Sequence, residues 1–289
     1  MYTVTKTQQG PYEAYVLADT TADTTVTVVP AKGGMVTGMT KNGEEYCWLR
    51  HPNFEENERP RCAVPVLFPC CGRVDNGVHT FGGTEYPMDI HGMAHSLPWE
   101  MAGTDTADGA KITVRLTDSA ESRKFYPYSF CVEIDYVLQG NVLTFAQRYK
   151  NTGSDAMPFS FGFHPYFTMS EVQNLDWDIK AATLVDMATG AESSAPAAVD
   201  FPFNESGSDT ARYYKGVQSP MVFADKGLHH KVTIRFDEHF TNAVLWSQCD
   251  LGFVCVEPWN GWPNSLNAGQ HEVLNAGEAL HAVMSVEMG

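Results

Sequence analysis

Residues 130–149 read as two runs of strict alternation joined by a tight turn, a pattern that leaves little room for anything but antiparallel sheet. Phe130, Val132, Ile134, Tyr136 and Leu138 take every second position, Gln139-Gly140-Asn141 follows, and Leu143, Phe145, Gln147 and Tyr149 resume the same period. A period of two places these side chains on one face of a strand, and a glycine-bearing turn between two such runs specifies a hairpin. The pattern recurs along the chain. Thr24 to Val29 is strand-like, and Lys111 to Asp118 sets Ile112, Val114 and Leu116 against Thr113, Arg115 and Thr117. Val232, Ile234 and Phe236 alternate likewise, and His281 to Met288 supplies a closing run. No long segment carries a 3.6-residue period; Phe54 to Arg61 and Ser170 to Leu175 have room for one or two helical turns. The predicted fold class is all-β.

Antiparallel runs at this spacing favour two packed sheets, and no propeller blade period is present. Asp186 to Tyr214, rich in Ala, Ser, Gly, Thr and Pro, is the least patterned stretch. Strand-like segments flank it on both sides, so it reads as a surface excursion rather than a boundary, and residues 1–289 are expected to form a single β-sandwich domain.

With 19 basic and 35 acidic residues the formal net charge is −16. That balance disfavours nucleic acid or an anionic membrane as partner, and a strongly anionic ligand unless the site concentrates arginines. A neutral small molecule fits better. Met1 to Gly10 lacks the basic and apolar regions of a signal peptide, and no apolar run approaches the ~20 residues of a spanning helix. Seven cysteines form no repeated CxxC pairs, and Cys131 and Cys255 lie inside strand-like runs. A reducing, cytoplasmic setting is expected.

Two segments end strand-like runs on ionisable side chains. In Phe159-Ser160-Phe161-Gly162-Phe163-His164 the aromatics share one face. His164 falls on the other with Ser160 and Gly162, small residues that would leave a hollow for a polar ligand. Gly252-Phe253-Val254-Cys255-Val256-Glu257 is apolar until its carboxylate, and Pro258, Trp259 and Trp262 follow. A lone glutamate ending a buried strand is costly unless paired or used. Taken singly, each has a plainer explanation: a hydrogen-bonded core histidine, half of a buried ion pair, tryptophans packing the core. His91 and His95 have the i, i+4 spacing of a zinc site on a helix, but Gly92 and Pro98 make that helix a poor one. His229-His230 point to opposite faces of a strand and read as a solvated turn. A glycosidase would require a second carboxylate beside Glu257, and none is near in sequence.

In order, Phe68-Pro69-x2-Gly72-Arg73, Gly82-Gly83, Tyr86-x4-His91-Gly92, Trp99, Phe163-His164-Pro165-Tyr166-Phe167 and Glu257-Pro258-Trp259 resemble the aldose 1-epimerase (galactose mutarotase-like) family, in particular its lactose-operon-associated branch. The resemblance implies a large antiparallel supersandwich with an open cleft, and interconversion of the α and β anomers of a free aldose with no metal or cofactor. It makes Glu257 the general base and His164 the general acid, acting across a pyranose-sized gap. Arg73 and His91 would hold sugar hydroxyls, and Trp259 or Tyr166 would stack on the sugar. Relatives often add a substrate-binding Asp, for which Asp225 is the nearest candidate. They often carry Arg where this chain has His95, which weakens a sugar-phosphate reading; two or more arginines converging on the cleft would revive it. A non-catalytic sugar-binding or regulatory protein with the same cleft is the alternative from another functional class.

Overall fold

Phe130–Gln139 pairs antiparallel with Val142–Asn151, Gln139 lying opposite Val142, in a computed structural model that describes residues 1–50, 61–199 and 209–289. Gly140, at φ 59°, turns the chain. Its N–H donates to Asp19 Oδ2 at 2.9 Å and its carbonyl accepts from Thr24 Oγ1 at 2.6 Å, which ties the hairpin to the N-terminal sheet. Alternation has its expected consequence. Phe130, Val132, Ile134, Tyr136, Leu138, Leu143, Phe145 and Tyr149 are all buried. Gln147, polar and buried among them, accepts from Tyr149 Oη at 2.8 Å, so its carbonyl is satisfied.

Three sheets carry the architecture. A five-stranded meander runs in chain order through Tyr2–Gln9, Tyr12–Asp19, Thr24–Val29, Met35–Lys41 and Glu44–Glu45. One eight-stranded sheet has the order Leu175–Asp178, Met221–Asp225, His230–Phe236, Ala279–Met288, Val142–Asn151, Phe130–Gln139, Ala110–Thr117, Glu100–Asp105. The other runs Glu192–Ser194, Thr183–Val185, Asp209–Lys215, Asn242–Gln248, Phe253–Trp259, Gly162–Phe163, Val66–Leu67, with Tyr166–Thr168 also pairing to Phe253–Trp259. The two large sheets pack face to face. Phe145 of one meets Phe163 of the other at 5.0 Å between ring centroids, and Tyr149 meets Phe161 at 4.5 Å. Helical structure among the described residues amounts to short 3-10 turns and one four-residue helix, Ser265–Ala268, and no helix is long and apolar enough to cross a membrane.

Val172–Asn174 supplies the turn expected within Ser170–Leu175, whereas residues 54–60 lie outside those described. The stretch from Asp186 is more regular than its composition suggests. Asp209–Lys215 is a strand inside the second large sheet, paired with Thr183–Val185 on one side and Asn242–Gln248 on the other. His230 corrects the solvated-turn expectation. His229 is exposed, but His230 is buried, stacked on Tyr46 at 4.0 Å, with Nε2 2.9 Å from Glu44 Oε2.

Asp225 ends a strand of the first large sheet at 1% exposure. It accepts from Ser170 N–H and Oγ, both at 2.6 Å, and from the N–H groups of Gly227 at 2.8 Å and Leu228 at 3.1 Å. Its carboxyl is thereby occupied in tying a turn, which corrects its candidacy as a ligand-binding Asp. Burial raises its pKa, but the Ser170 and backbone hydrogen bonds outweigh burial and hold it below the usual range. A depressed folded-state value gives stability that is present above the unfolded pKa and lost as pH falls through the folded one. Asp225→Asn should therefore cost about 1–3 kcal/mol in urea unfolding at pH 7. That cost should shrink below about pH 4; a pH-independent cost would mean the charge is not what ties the turn.

Candidate active site

Strand Phe253–Trp259 is buried along its whole length because both of its faces are covered. Val254 and Val256 point into the main core between the sheets. Phe253, Cys255, Glu257 and Trp259 point the other way, into smaller clusters on the outer side of the same sheet. Cross-strand register extends that second face: Tyr213 lies opposite Val244, and Val244 opposite Glu257, while Ala211, Trp246, Cys255 and Tyr166 form the neighbouring row. Partners in register share a face, and six of these seven side chains, all but Cys255, line one cavity of about 390 Å³. Arg61, Arg73, His91, His95, His164 and Trp259 line it too, and among the described residues Glu257 is the one carboxylate in its lining.

His164 Nε2 stands 3.3 Å from Glu257 Oε1, with side-chain exposures of 11% and 1%. The two are adjacent, not separated by a pyranose-sized gap as the sequence suggested. Burial drives the Glu257 carboxyl well above its usual range, and the Trp259 indole acts in the opposite direction. Trp259 Nε1 and Glu257 Oε2 make no complete hydrogen bond among the described residues. The His164 imidazole faces the other carboxylate oxygen, Oε1. The small residues beside His164 do not leave the expected hollow. A Cβ on Gly162 would lie 3.0 Å from the Trp259 ring, and a Cβ on Gly261 would lie 2.3 Å from Ser160 Cβ. Neighbouring chain fills that side, and the ligand-sized space lies in front of the imidazole.

His91 reaches the same point from a separate loop. Its φ is 68° and that of Gly92 is 78°, and a Cβ at Gly92 would sit 2.2 Å from the Phe68 carbonyl oxygen, so only glycine fits this crossing. His91 N–H donates to the Gly72 carbonyl at 2.8 Å, and Gly72 N–H donates back to His91 Nδ1 at 3.1 Å. With Nδ1 accepting, the neutral ring carries its proton on Nε2 and is a hydrogen-bond donor. The ligand atoms of His91, His164 and Glu257 lie within 4.8 Å of one another, a spacing that could hold a metal. The tautomer argues against it: Nδ1 is engaged by Gly72 and Nε2 is protonated, so His91 offers no free lone pair. His95 also lines the cavity, but from a 3-10 turn, Ala94–Ser96, not the α-helix a zinc pair would use.

The aromatic candidates divide. Tyr166 stacks on His164 at 4.7 Å and 13°, and is only 3% exposed. Trp259 is 2% exposed and meets His91 edge-on at 5.5 Å. Trp262 lies outside the cavity lining, half-buried against Tyr213 with Lys215 Nζ 4.7 Å above its ring. Arg73 and Arg61 are exposed, and among the described residues neither guanidinium has an ion pair. Arg73 works against burial and Glu257 in setting the Tyr213 phenol, whose pKa is raised on balance.

Sequence reading missed Trp246, Tyr213 and Arg61. Trp246 meets His164 edge-on at 5.7 Å. The alternation of Val244 with Trp246 was its available signal. Tyr213 was hidden in the unpatterned stretch, and Arg61 reaches the cavity through the fold alone.

A sequence profile described as aldose 1-epimerase matches residues 15–287. The plasmid-borne LacX protein of Lactococcus lactis subsp. lactis is 24% identical over 263 residues, 82% of this chain and 85% of that protein. An Escherichia coli K12 protein described as a candidate glucose-6-phosphate 1-epimerase is 24% identical over 242 residues, 74% of this chain and 72% of its own. Among solved structures, a galactose mutarotase-like protein from Clostridium acetobutylicum superposes with a TM-score of 0.85 at 19% identity, covering 100% of this chain and 98% of that one.

Proposed function

The chain belongs to the aldose 1-epimerase family, and we propose that it is a mutarotase, interconverting the anomers of an aldose with Glu257 as base and His164 as acid. The observation that carries this is their 3.3 Å contact on a cavity wall. Ring opening takes a proton from the C1 hydroxyl and gives one to the ring oxygen. Both oxygens are bonded to the same carbon, so acid and base must be close neighbours, as these are. Glu257 accepts the O1 proton, the bond from C1 to the ring oxygen breaks, and His164 protonates that oxygen. The aldehyde rotates about C1–C2. Closure returns both protons by the reverse transfers, leaving the enzyme unchanged.

His91, donating from Nε2, and Arg73 hold ring hydroxyls and fix C1 against the pair. No cofactor enters these steps. The ligand is a small-molecule sugar, the whole chain serves as one sandwich domain around it, and the cysteine pattern favours a cytoplasmic setting. A binding protein with the same cleft would occupy this cavity without accelerating optical-rotation change.

A second reading concerns the sugar. Arg61 and Arg73 both line the cavity, against one carboxylate among the described residues, which is paired with an imidazole. Two guanidiniums there favour an anionic substituent, so a sugar phosphate stands beside the free aldose as substrate.

In polarimetry on fresh α-D-glucose or α-D-galactose, corrected for the spontaneous rate, Glu257→Gln and His164→Asn should each lose about 10²–10⁴ in kcat. Near-normal turnover would remove that residue from the reaction. Because burial raises the Glu257 pKa, activity should rise with pH through a limb lying above the ordinary glutamate value of about 4.3; an acidic limb at or below it would contradict a buried base. For the second reading, Arg61→Ala should weaken a hexose 6-phosphate by tenfold or more and spare the free hexose. Equal effects on both would return the assignment to the neutral sugar.

A further inference from the structure

We propose that Tyr166 is a positioning residue for His164: its ring face holds the imidazole in the protonated form that delivers the proton, and the phenol does not bind the sugar by stacking. The inference rests on the acid role given to His164 above. Tyr166 and His164 are nearly parallel, 13° apart, at 4.7 Å between centroids. Trp48 is also stacked with Tyr166, at 6.1 Å and 22°. Phe253 packs against the same ring at 5.1 Å, and Trp246 braces both rings edge-on, at 5.8 Å from Tyr166 and 5.7 Å from His164. Although it borders the cavity, Tyr166 is only 3% exposed, with both ring faces stacked on His164 and Trp48, and so has little ring surface to offer a pyranose. Burial keeps its phenol neutral, so what it presents to His164 is an uncharged aromatic quadrupole.

That contact has work to do, because the surroundings of His164 are mixed. Glu257, from the central strand, favours imidazolium. His91 faces it edge-on at 5.1 Å. Arg61 and Arg73 line the same cavity as like charges, and His95 and Tyr213 complete its titratable lining. Near-complete burial of the imidazole also disfavours its charge. An aromatic face against a desolvated cation offsets these terms.

The test reads the proton directly. In Tyr166→Leu, the basic limb of kcat/KM and the NMR titration midpoint of the His164 ring should both fall by about one pH unit. Tyr166→Phe should restore both, and KM for the sugar should stay within about twofold, since the residue acts through its neighbour. Pentafluorophenylalanine at position 166 keeps the ring shape while inverting its quadrupole, and should reproduce the Leu shift even if Tyr166→Leu does not fold. An unmoved midpoint with pentafluorophenylalanine, or a raised KM with an unmoved basic limb, would overturn the proposal. The NMR midpoint needs no turnover: a shifted ring in a protein without activity would sink the mutarotase reading and leave this one standing.

Discussion

A carboxylate at 1% exposure facing an imidazole at 3.3 Å is the contact on which the rest of this site depends. Burial raises the Glu257 pKa and so disfavours its anion. At 3.3 Å an imidazolium would favour the anion and the anion the imidazolium, so the two groups are coupled. Such a pair can give and take protons at neighbouring oxygens with no net change in charge. Its apolar setting also means that removing either partner leaves the other buried and uncompensated.

Placing that pair requires a sheet that is covered on both sides and open at one point. The strand Phe253–Trp259 meets the requirement by alternation: Val254 and Val256 seal the main core, while Cys255, Glu257 and Trp259 turn outward. His164 comes from the adjoining segment, whose phenylalanines at 159, 161 and 163 anchor it in the core. Rigid strands on both sides of the pair fix its separation, while His91 is delivered by a loop whose geometry depends on glycine at position 92. Glu257 thus sits on a strand and His164 between two short ones, whereas His91 sits on irregular backbone.

The all-β class was legible because a period of two cannot be mistaken over ten residues, and the burial of Phe130 to Leu138 follows it residue by residue. Glu257 and His164 were legible as ionisable ends of apolar runs. Their distance was not, since register between strands decides it. Asp225 failed for a related reason: an Asp at a strand end looks alike whether it faces a ligand or ties its own turn, and only the four hydrogen bonds it accepts tell the cases apart. Ser160 and Gly162 suggested a hollow because small residues leave room locally, yet Gly261 and Trp259 come from a distant segment to fill it. Local pattern gives direction, and tertiary packing decides occupancy.

Net charge taught the least. A total of −16 suggested a neutral ligand, but charges on a solvated surface are screened beyond roughly 8–10 Å at physiological salt. Inside the cavity the relevant charges are those lining it: among the described residues, Arg61 and Arg73, and one carboxylate already engaged by His164. These lie within a few ångströms of any occupant, inside the screening length, so each counts for more than a distant surface acid. The overall balance governs how fast an anion approaches; the local balance governs how well it is held. For a site of this kind, the second is what bears on the choice between a free sugar and a phosphorylated one.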